Sequence, residues 1–443
     1  MPLSTTYATT KADDSGSLVP KQSRSAFFLI TGLFFLWGIP NNLNDILIRQ
    51  FMTSFAMSRM QAGLVQSAFY LGYFLLAIPG AFIMRRYGYK NGLLLGLFTY
   101  SIGTFLFYPA ARAHSYILFL LALFIIASGA CILETGSNPL VTQLGSPEGA
   151  VRRLNFSQAF FPLGSILGVL IGTIFIFSGV ELTSRQIEAL KVAEKYNAYL
   201  LHETMRVVAP YLVLGAIVLF WAFLIWRTSF PAVAIERAQI RTASSGSYRA
   251  LLQYPHFLFS ILTQFCYVGA QVGTWSYFIQ YVQDYVHLPE KASGYLLTGT
   301  LVTFGIGRFV STHLLKSIRA NILMGCFALI NCGLVLMGVL FHGWLGAGAI
   351  FTTSFFMSLM FPTIFALGIR DLGENTKAGA SLIVMGDIGG AVFTPLMGFI
   401  YEAKHSMAMA MVVPVACYAV VGYFAFWGSQ LGRFRLAEED LAF

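Results

Sequence analysis

Leu36-Trp37-Gly38-Ile39-Pro40-Asn41-Asn42-Leu43-Asn44-Asp45-Ile46-Leu47-Ile48-Arg49 sets three asparagines and an aspartate near the end of an otherwise apolar segment. An ionisable side chain at membrane depth is costly, so it faces a bundle interior or a wet cavity and marks a functional site. On a helix, Asn41, Asn42 and Asp45 share one face, because offsets of three and four bring side chains together, and Asn44 is turned partly aside. Pro40, just ahead of them, kinks such a helix or loosens its hydrogen bonding.

Outward from this stretch the chain stays apolar. Of its 443 residues, 57% are hydrophobic and only 11% charged, with a mean hydropathy of +0.70. A soluble domain carries about a quarter charged residues, so the composition excludes one and points to a polytopic membrane protein. Cys131, Cys266, Cys326, Cys332 and Cys417 all fall inside apolar segments. Without zinc or redox spacing they read as small core residues, with no disulfide framework, metal site or cofactor implied. The net charge of +9 is scattered among short loops, which fits a cytoplasmic loop bias better than a nucleic-acid surface. The expected surroundings are therefore a lipid bilayer, with no nucleic acid, and the chain is expected to work as a monomer. Residues 1–25 are polar, Ser/Thr-rich and without a signal-peptide pattern, and read as a disordered cytoplasmic tail.

Twelve segments are long and apolar enough to span a bilayer core: 26–49, 61–84, 91–111, 115–142, 153–179, 208–228, 255–283, 292–315, 320–341, 344–369, 377–400 and 406–430. The fold class is thus an all-α polytopic membrane protein. An even number of spans puts both termini on one side. Basic residues in the first tail (Lys11, Lys21, Arg24), the 2–3 loop (Arg85, Arg86, Lys90), the 4–5 loop (Arg152, Arg153) and the 6–7 loop (Arg227, Arg237, Arg241, Arg249) make that side cytoplasmic. The opposite 5–6 connection, 180–207, mixes four basic with four acidic residues and has the spacing of a short amphipathic surface helix. Residues 229–252, with Ser244-Ser245-Gly246-Ser247, read as a cytoplasmic linker between two six-helix bundles, 26–228 and 253–431, and 432–443 as a second cytoplasmic tail.

The halves carry a faint repeat. Arg85-Arg86-Tyr87-Gly88-Tyr89-Lys90 follows segment 2, and Gly307-Arg308-Phe309, then Lys316 and Arg319, stand between segments 8 and 9. Two pseudo-symmetric six-helix halves with a midplane site is the architecture of major facilitator transporters, although loop charge bias by itself produces part of such a recurrence.

Further polar groups lie at depth. Segment 4 contains Glu134-Thr135-Gly136-Ser137-Asn138, which places Ser137 and Asn138 on the face of Glu134, and segment 5 opens with Asn155 and Gln158 on one face. Gly164, Gly168 and Gly172 then recur at fourfold spacing, which suits close helix packing. Segment 7 bears Gln264, Tyr267, Gln271, Trp275 and Phe278 as a stripe of amides and aromatics, matched to the hydroxyls and apolar ring face of a sugar. An aromatic stripe is also ordinary packing, but a buried amide facing lipid would be unsatisfied. Segment 10 adds Phe355, Phe356 and Phe361-Pro362, and segment 11 carries Asp387 among Gly386, Gly389 and Gly390. Three simpler readings stand beside these: Asp45 paired with Arg49 one turn on, Glu134 hydrogen-bonded to a neighbouring helix, and Asp387 capping the packing around its glycines.

Several of these runs together resemble the fucose permease branch of the major facilitator superfamily, the bacterial L-fucose:proton symporters. They are LWGIPNNLNDIL from Leu36, QAGLVQSAFYLGYF from Gln61, LETGSNPLVTQLG from Leu133, QFCYVGAQ from Gln264, LTGTLVTFGIGRF from Leu297 and FPTIFALGI from Phe361. The resemblance covers both halves. It implies a proton-coupling aspartate at Asp45, a central-cavity glutamate at Glu134, sugar-facing amides at Asn42 and Gln158, and an aromatic at Phe304. Three positions depart from that pattern, with Phe161 in place of an asparagine, Phe361 in place of a tyrosine and Arg49 in place of a proline. The sugar-contacting surface is correspondingly less polar, which shifts expectation away from fucose itself.

The expected function is import of a monosaccharide with a proton, by alternating access, across the bacterial inner membrane. Protonating a buried carboxylate removes the charge that opposes carrying the site through an apolar environment. Asp45 and Glu134 are the candidate proton-coupling acids: Glu134 would also bind sugar hydroxyls and Asp45 would take the proton, the only coupling ion required. An uncoupled sugar facilitator is the alternative mechanism. A transporter-like nutrient sensor usually carries a large signalling extension, and a membrane enzyme needs a metal-ligand spacing, nucleophile motif or phosphate loop, none of which the sequence offers.

Overall fold

The computed structural model describes residues 19–145, 150–180, 182–230, 248–315 and 317–431. Most of the expected first tail and of the linker, and the whole of 432–443, lie outside these residues, as do the side chains of Arg85, Arg152 and Asn155. All regular structure among the described residues is helical.

Twelve principal helices follow in order: α1 (Arg24–Ser54), α2 (Arg59–Tyr87), α3 (Tyr89–Phe105), α4 (Tyr116–Gln143), α5 (Phe160–Ile171), α6 (Val208–Arg227), α7 (Pro255–Val286), α8 (Glu290–Leu314), α9 (Ala320–Leu340), α10 (Trp344–Met357), α11 (Gly389–Lys404) and α12 (Val412–Phe426). Shorter pieces extend several of them, notably Ala150–Gln158 before α5, Met360–Gly368 after α10 and Thr376–Met385 before α11. Eleven helical segments among the described residues are apolar enough to cross a membrane. The twelfth, α8, has 25 residues and the necessary length, but Glu290, Lys291, Arg308 and His313 lower its hydropathy.

Two expected boundaries move. The sixth span begins at Tyr196 rather than 208, because Tyr196–Met205 continues toward α6 with Glu203 buried. Its carboxylate accepts from Gln50 Nε2 at 3.2 Å and pairs with Arg206, whose Nε lies 3.9 Å from Oε2. The expected surface helix is Ser184–Val192, which buries no residue. Arg308 lies inside α8, not in the turn after it.

The packing repeats when every helix number is raised by six. In the first half α1 packs on α5, α2 on α4, and α3 on α4 and α6; in the second α7 packs on α11, α8 on α10, and α9 on α10 and α12. Small residues permit the equivalent close approaches. A Cβ on Gly164 would strike Phe35 O, and one on Gly389 would strike Phe265 O. The halves meet along α1–α7, α2–α11 and α5–α8. Exposed apolar side chains such as Phe98, Phe220, Phe309 and Leu329 cover the outside of the bundle.

Proline positions show how backbone groups are satisfied where water is scarce. Pro40 lies within an uninterrupted α1 and cannot donate to Leu36 O; Tyr100 OH donates there instead, at 3.0 Å. Pro395 likewise frees Ala391 O, which accepts from Ser67 Oγ of α2 at 2.6 Å.

At the end of the bundle away from Arg24 the halves are fastened together. Arg59 binds Asp284 through two hydrogen bonds of 2.7 and 2.8 Å, and its guanidinium lies 3.7 Å from the centroid of the Tyr401 ring. Tyr277 OH donates to Arg59 O at 2.9 Å, and Glu402 accepts from Met60 N at 2.9 Å. This far end is therefore closed.

Candidate functional site

Asp45 is 2% exposed and sits where α1, α2 and α7 meet. Its Oδ2 accepts from Asn42 Nδ2 at 3.1 Å. Its Oδ1 accepts from Gln66 Nε2 of α2 and from Ser276 Oγ of α7, each at 2.8 Å. Gln66 Nε2 also reaches Ser276 Oγ at 2.9 Å. The sharing of a face by Asn42 and Asp45 is as the spacing predicts. Asn41 instead donates back to Trp37 O at 2.8 Å. Asn44 is completely buried, with neither amide atom hydrogen-bonded among the described residues.

Arg49 does not pair with Asp45. Its Nε lies 2.9 Å from Glu290 Oε1 at the start of α8, so it bridges the halves at the far end. Asp45 has its donors already, while Glu290 is largely buried and needs a cation. The pair borders a cavity of about 230 Å³ that Thr53, Tyr196 and Tyr199 also line.

Glu134, half-buried on α4, has no hydrogen bond or ion pair among the described residues, so the reading of it as a structural helix-to-helix contact finds no partner. Asn138 stands one turn on, and Gln158 Nε2 approaches its Oδ1 at 3.5 Å. Phe161, on the same short stretch as Gln158, packs its backbone oxygen against Gly38 of α1 and its half-buried ring against the main core.

In the second half, the expected site residues are mostly held by one another. Gln264 Nε2 donates to Asp387 Oδ1 at 3.1 Å, and Asp387 lies in the Gly386–Ile388 turn that interrupts the eleventh span. Tyr267 OH donates to Met357 O at 2.9 Å, and its ring meets Phe361 edge-on at 6.4 Å. Trp275 Nε1 donates to Ser354 Oγ at 3.0 Å and its ring stands edge-on to Phe304 at 5.3 Å. Gln271 is half-buried with no hydrogen bond among the described residues. The stripe thus divides into Gln264, Tyr267 and Trp275, which are held by hydrogen bonds, Phe278, which packs against Phe351, and Gln271, which has no hydrogen bond among the described residues.

Sequence reasoning missed three members. Gln66 had a signal, being an amide in a membrane helix. Arg308 had one too, but counted as a loop cation; its guanidinium lies 5.3 Å from the Phe304 ring centroid. Ser276 had none, because a lone serine in a helix commonly bonds its own backbone.

Long apolar helices in a repeated packing, with carboxylates and amides turned inward, define a multi-pass membrane transporter. The sequence model of the Major Facilitator Superfamily matches residues 25–394, and the chain belongs to that family. It is 42% identical to the L-fucose-proton symporter of Escherichia coli (strain K12), over 92% of this chain and 95% of that one. It is 30% identical to the glucose/galactose transporter of Brucella abortus, over 90% of this chain and 93% of that one. Among solved structures, the transporter FucP in the outward conformation matches with a TM-score of 0.68 at 42% identity, covering 91% of this chain and 98% of that one. A D-xylose-proton symporter shares the fold, with a TM-score of 0.70 at 11% identity, covering 92% of this chain and 98% of that one.

Proposed function

We propose that this chain is a proton-coupled monosaccharide importer that works by alternating access. It is a transporter and not an enzyme. Asp45 carries the coupling proton, and Glu134, with Asn138, Gln158 and Gln271, receives the sugar hydroxyls. The observation that carries the reading is the contrast between two acids in one half: Asp45 has its hydrogen bonds filled by the protein, whereas Glu134 is half-buried with no hydrogen bond or ion pair among the described residues. Trp275 and Phe304, fixed edge to face, offer apolar surface to a ring face. The names of two relatives, an L-fucose-proton symporter and a glucose/galactose transporter, support this substrate class. Phe161 and Phe361 carry no hydroxyl or amide, so we propose a hexose other than L-fucose, or a broadened set.

The membrane is the bacterial inner membrane, with both termini cytoplasmic, because the basic loops lie on the terminal side. The far end closed by Arg59 and Asp284 is then the outer one, and the protein acts as a monomer. Labelled-sugar counterflow and net uptake in proteoliposomes, with and without a pH gradient, test the reading. Accumulation driven by an inward proton gradient is expected; sugar exchange without accumulation would make the chain an uncoupled facilitator.

A further inference from the structure

Two of the three donors to Asp45 belong to its own half, Asn42 on α1 and Gln66 on α2. The third crosses to the other half: Ser276 Oγ, on α7, donates to Oδ1 at 2.8 Å while accepting from Gln66 Nε2 at 2.9 Å. All four side chains are 5% exposed or less, so water does not substitute for these contacts. One oxygen of one carboxylate is thus a knot between the halves, in a state whose far end is closed.

The donor arrangement favours the ionised acid. An ionised carboxylate accepts all three hydrogen bonds and needs nothing more, whereas a neutral one adds an O–H that needs an acceptor of its own. The groups around it present donors, so one of them must offer an acceptor instead. Gln66 is built to do so, because its Oε1 is buried without a hydrogen-bond partner among the described residues. Half a turn of the amide presents that oxygen to the acid proton and withdraws Nε2 from Ser276. Tyr70 on α2 is the other ionisable group beside Asp45, and Asp387 before α11 and Glu134 on α4 lie beyond it, around Tyr70. Arg49, one turn away on α1, is engaged by Glu290 of α8.

We infer that Ser276 and Gln66 are positioning residues that read the protonation of Asp45 across the interface, fastening the halves when the acid is ionised and loosening them when it is neutral. This rests on the proposed role of Asp45 and says how its proton is tied to the conformational change. Closing the outer end brings Ser276 to the carboxylate and favours release of the proton, which leaves for water on the inner side. Opening the outer end removes that donor and leaves the acid ready to be protonated from outside.

The test uses the full chain in proteoliposomes, with a sugar that the wild type accumulates. Ser276→Ala is expected to lower the accumulation ratio about tenfold more than it lowers counterflow, the worth of one hydrogen bond to a charged group, and to flatten the pH dependence of net uptake. Ser276→Thr, which keeps the hydroxyl, is expected to restore both. Gln66→Met, which removes the amide at similar volume, gives a second reading and should resemble Ser276→Ala. A wild-type accumulation ratio and pH profile in Ser276→Ala would overturn the inference. So would equal loss of counterflow and accumulation in Ser276→Ala and Gln66→Met, which marks a purely structural role. Absence of proton-driven accumulation in the wild type would instead remove the proposed function, and this inference with it.

Discussion

Asp45 and Glu134 are both acids in the first six helices, yet the protein surrounds them in opposite ways. Asp45 is 2% exposed and accepts three hydrogen bonds, while Glu134 is half-buried and accepts none among the described residues. A caged acid suits a ligand as small as a proton, which needs no open space beside the carboxyl. A half-exposed acid with no such donors suits a ligand that brings its own hydroxyls. The same residue type is thus fitted to two tasks by what neighbouring helices supply.

The sharpest way to break the contrast is Asp45→Asn, whose amide mimics a permanently neutral carboxyl. Accumulation of sugar against a gradient is expected to vanish while exchange across the membrane persists. Full concentrative uptake in this variant would take the proton away from Asp45.

Glu134→Ala comes next. With no protein partner in place, the loss falls on the sugar hydroxyl left without its acceptor, about 1–3 kcal/mol, or roughly tenfold to a hundredfold in affinity. Calorimetric binding at wild-type strength would move the sugar site elsewhere and make the open carboxylate incidental.

A smaller effect tests the apolar part of the wall. Phe161→Asn and Phe361→Tyr together supply groups that hydrogen-bond a hydroxyl, and selectivity is expected to move toward L-fucose by roughly tenfold. Competition against a labelled transported sugar reads this directly. If the wild type already ranks L-fucose first by a wide margin, the two rings do not set selectivity.

The smallest effect is expected at Arg49. Because its guanidinium serves Glu290 and not Asp45, Arg49→Gln should leave the pH profile of transport in place. The rate should change about threefold or less, since Arg49 itself is partly solvent-exposed and glutamine keeps a hydrogen-bond donor for the largely buried Glu290. Glutamine is the informative substitution, because Arg49 is helical within α1 and a proline there would remove a backbone donor and strain the helix as well. A displaced pH optimum would show that the far-end ion pair does act on the coupling acid.

The sequence by itself determined the membrane fold class, the twelve spans to within a few residues except at the sixth, and the polar groups at depth. Length, hydropathy and helical periodicity act locally, and each is written in consecutive residues. It also placed Asn42 beside Asp45, because that contact lies within one turn of one helix. Arg49 shows where this reasoning stops: the nearest acid along the helix is Asp45, but the acid it binds is Glu290, 241 residues away. Arg308 and Ser276 teach the same lesson, one read as a loop cation and the other carrying no signal at all. Only the tertiary structure decided that Asp45 is caged while Glu134 finds no partner among the described residues, because hydrogen bonds between helices depend on which faces meet, and that is settled when the halves pack together.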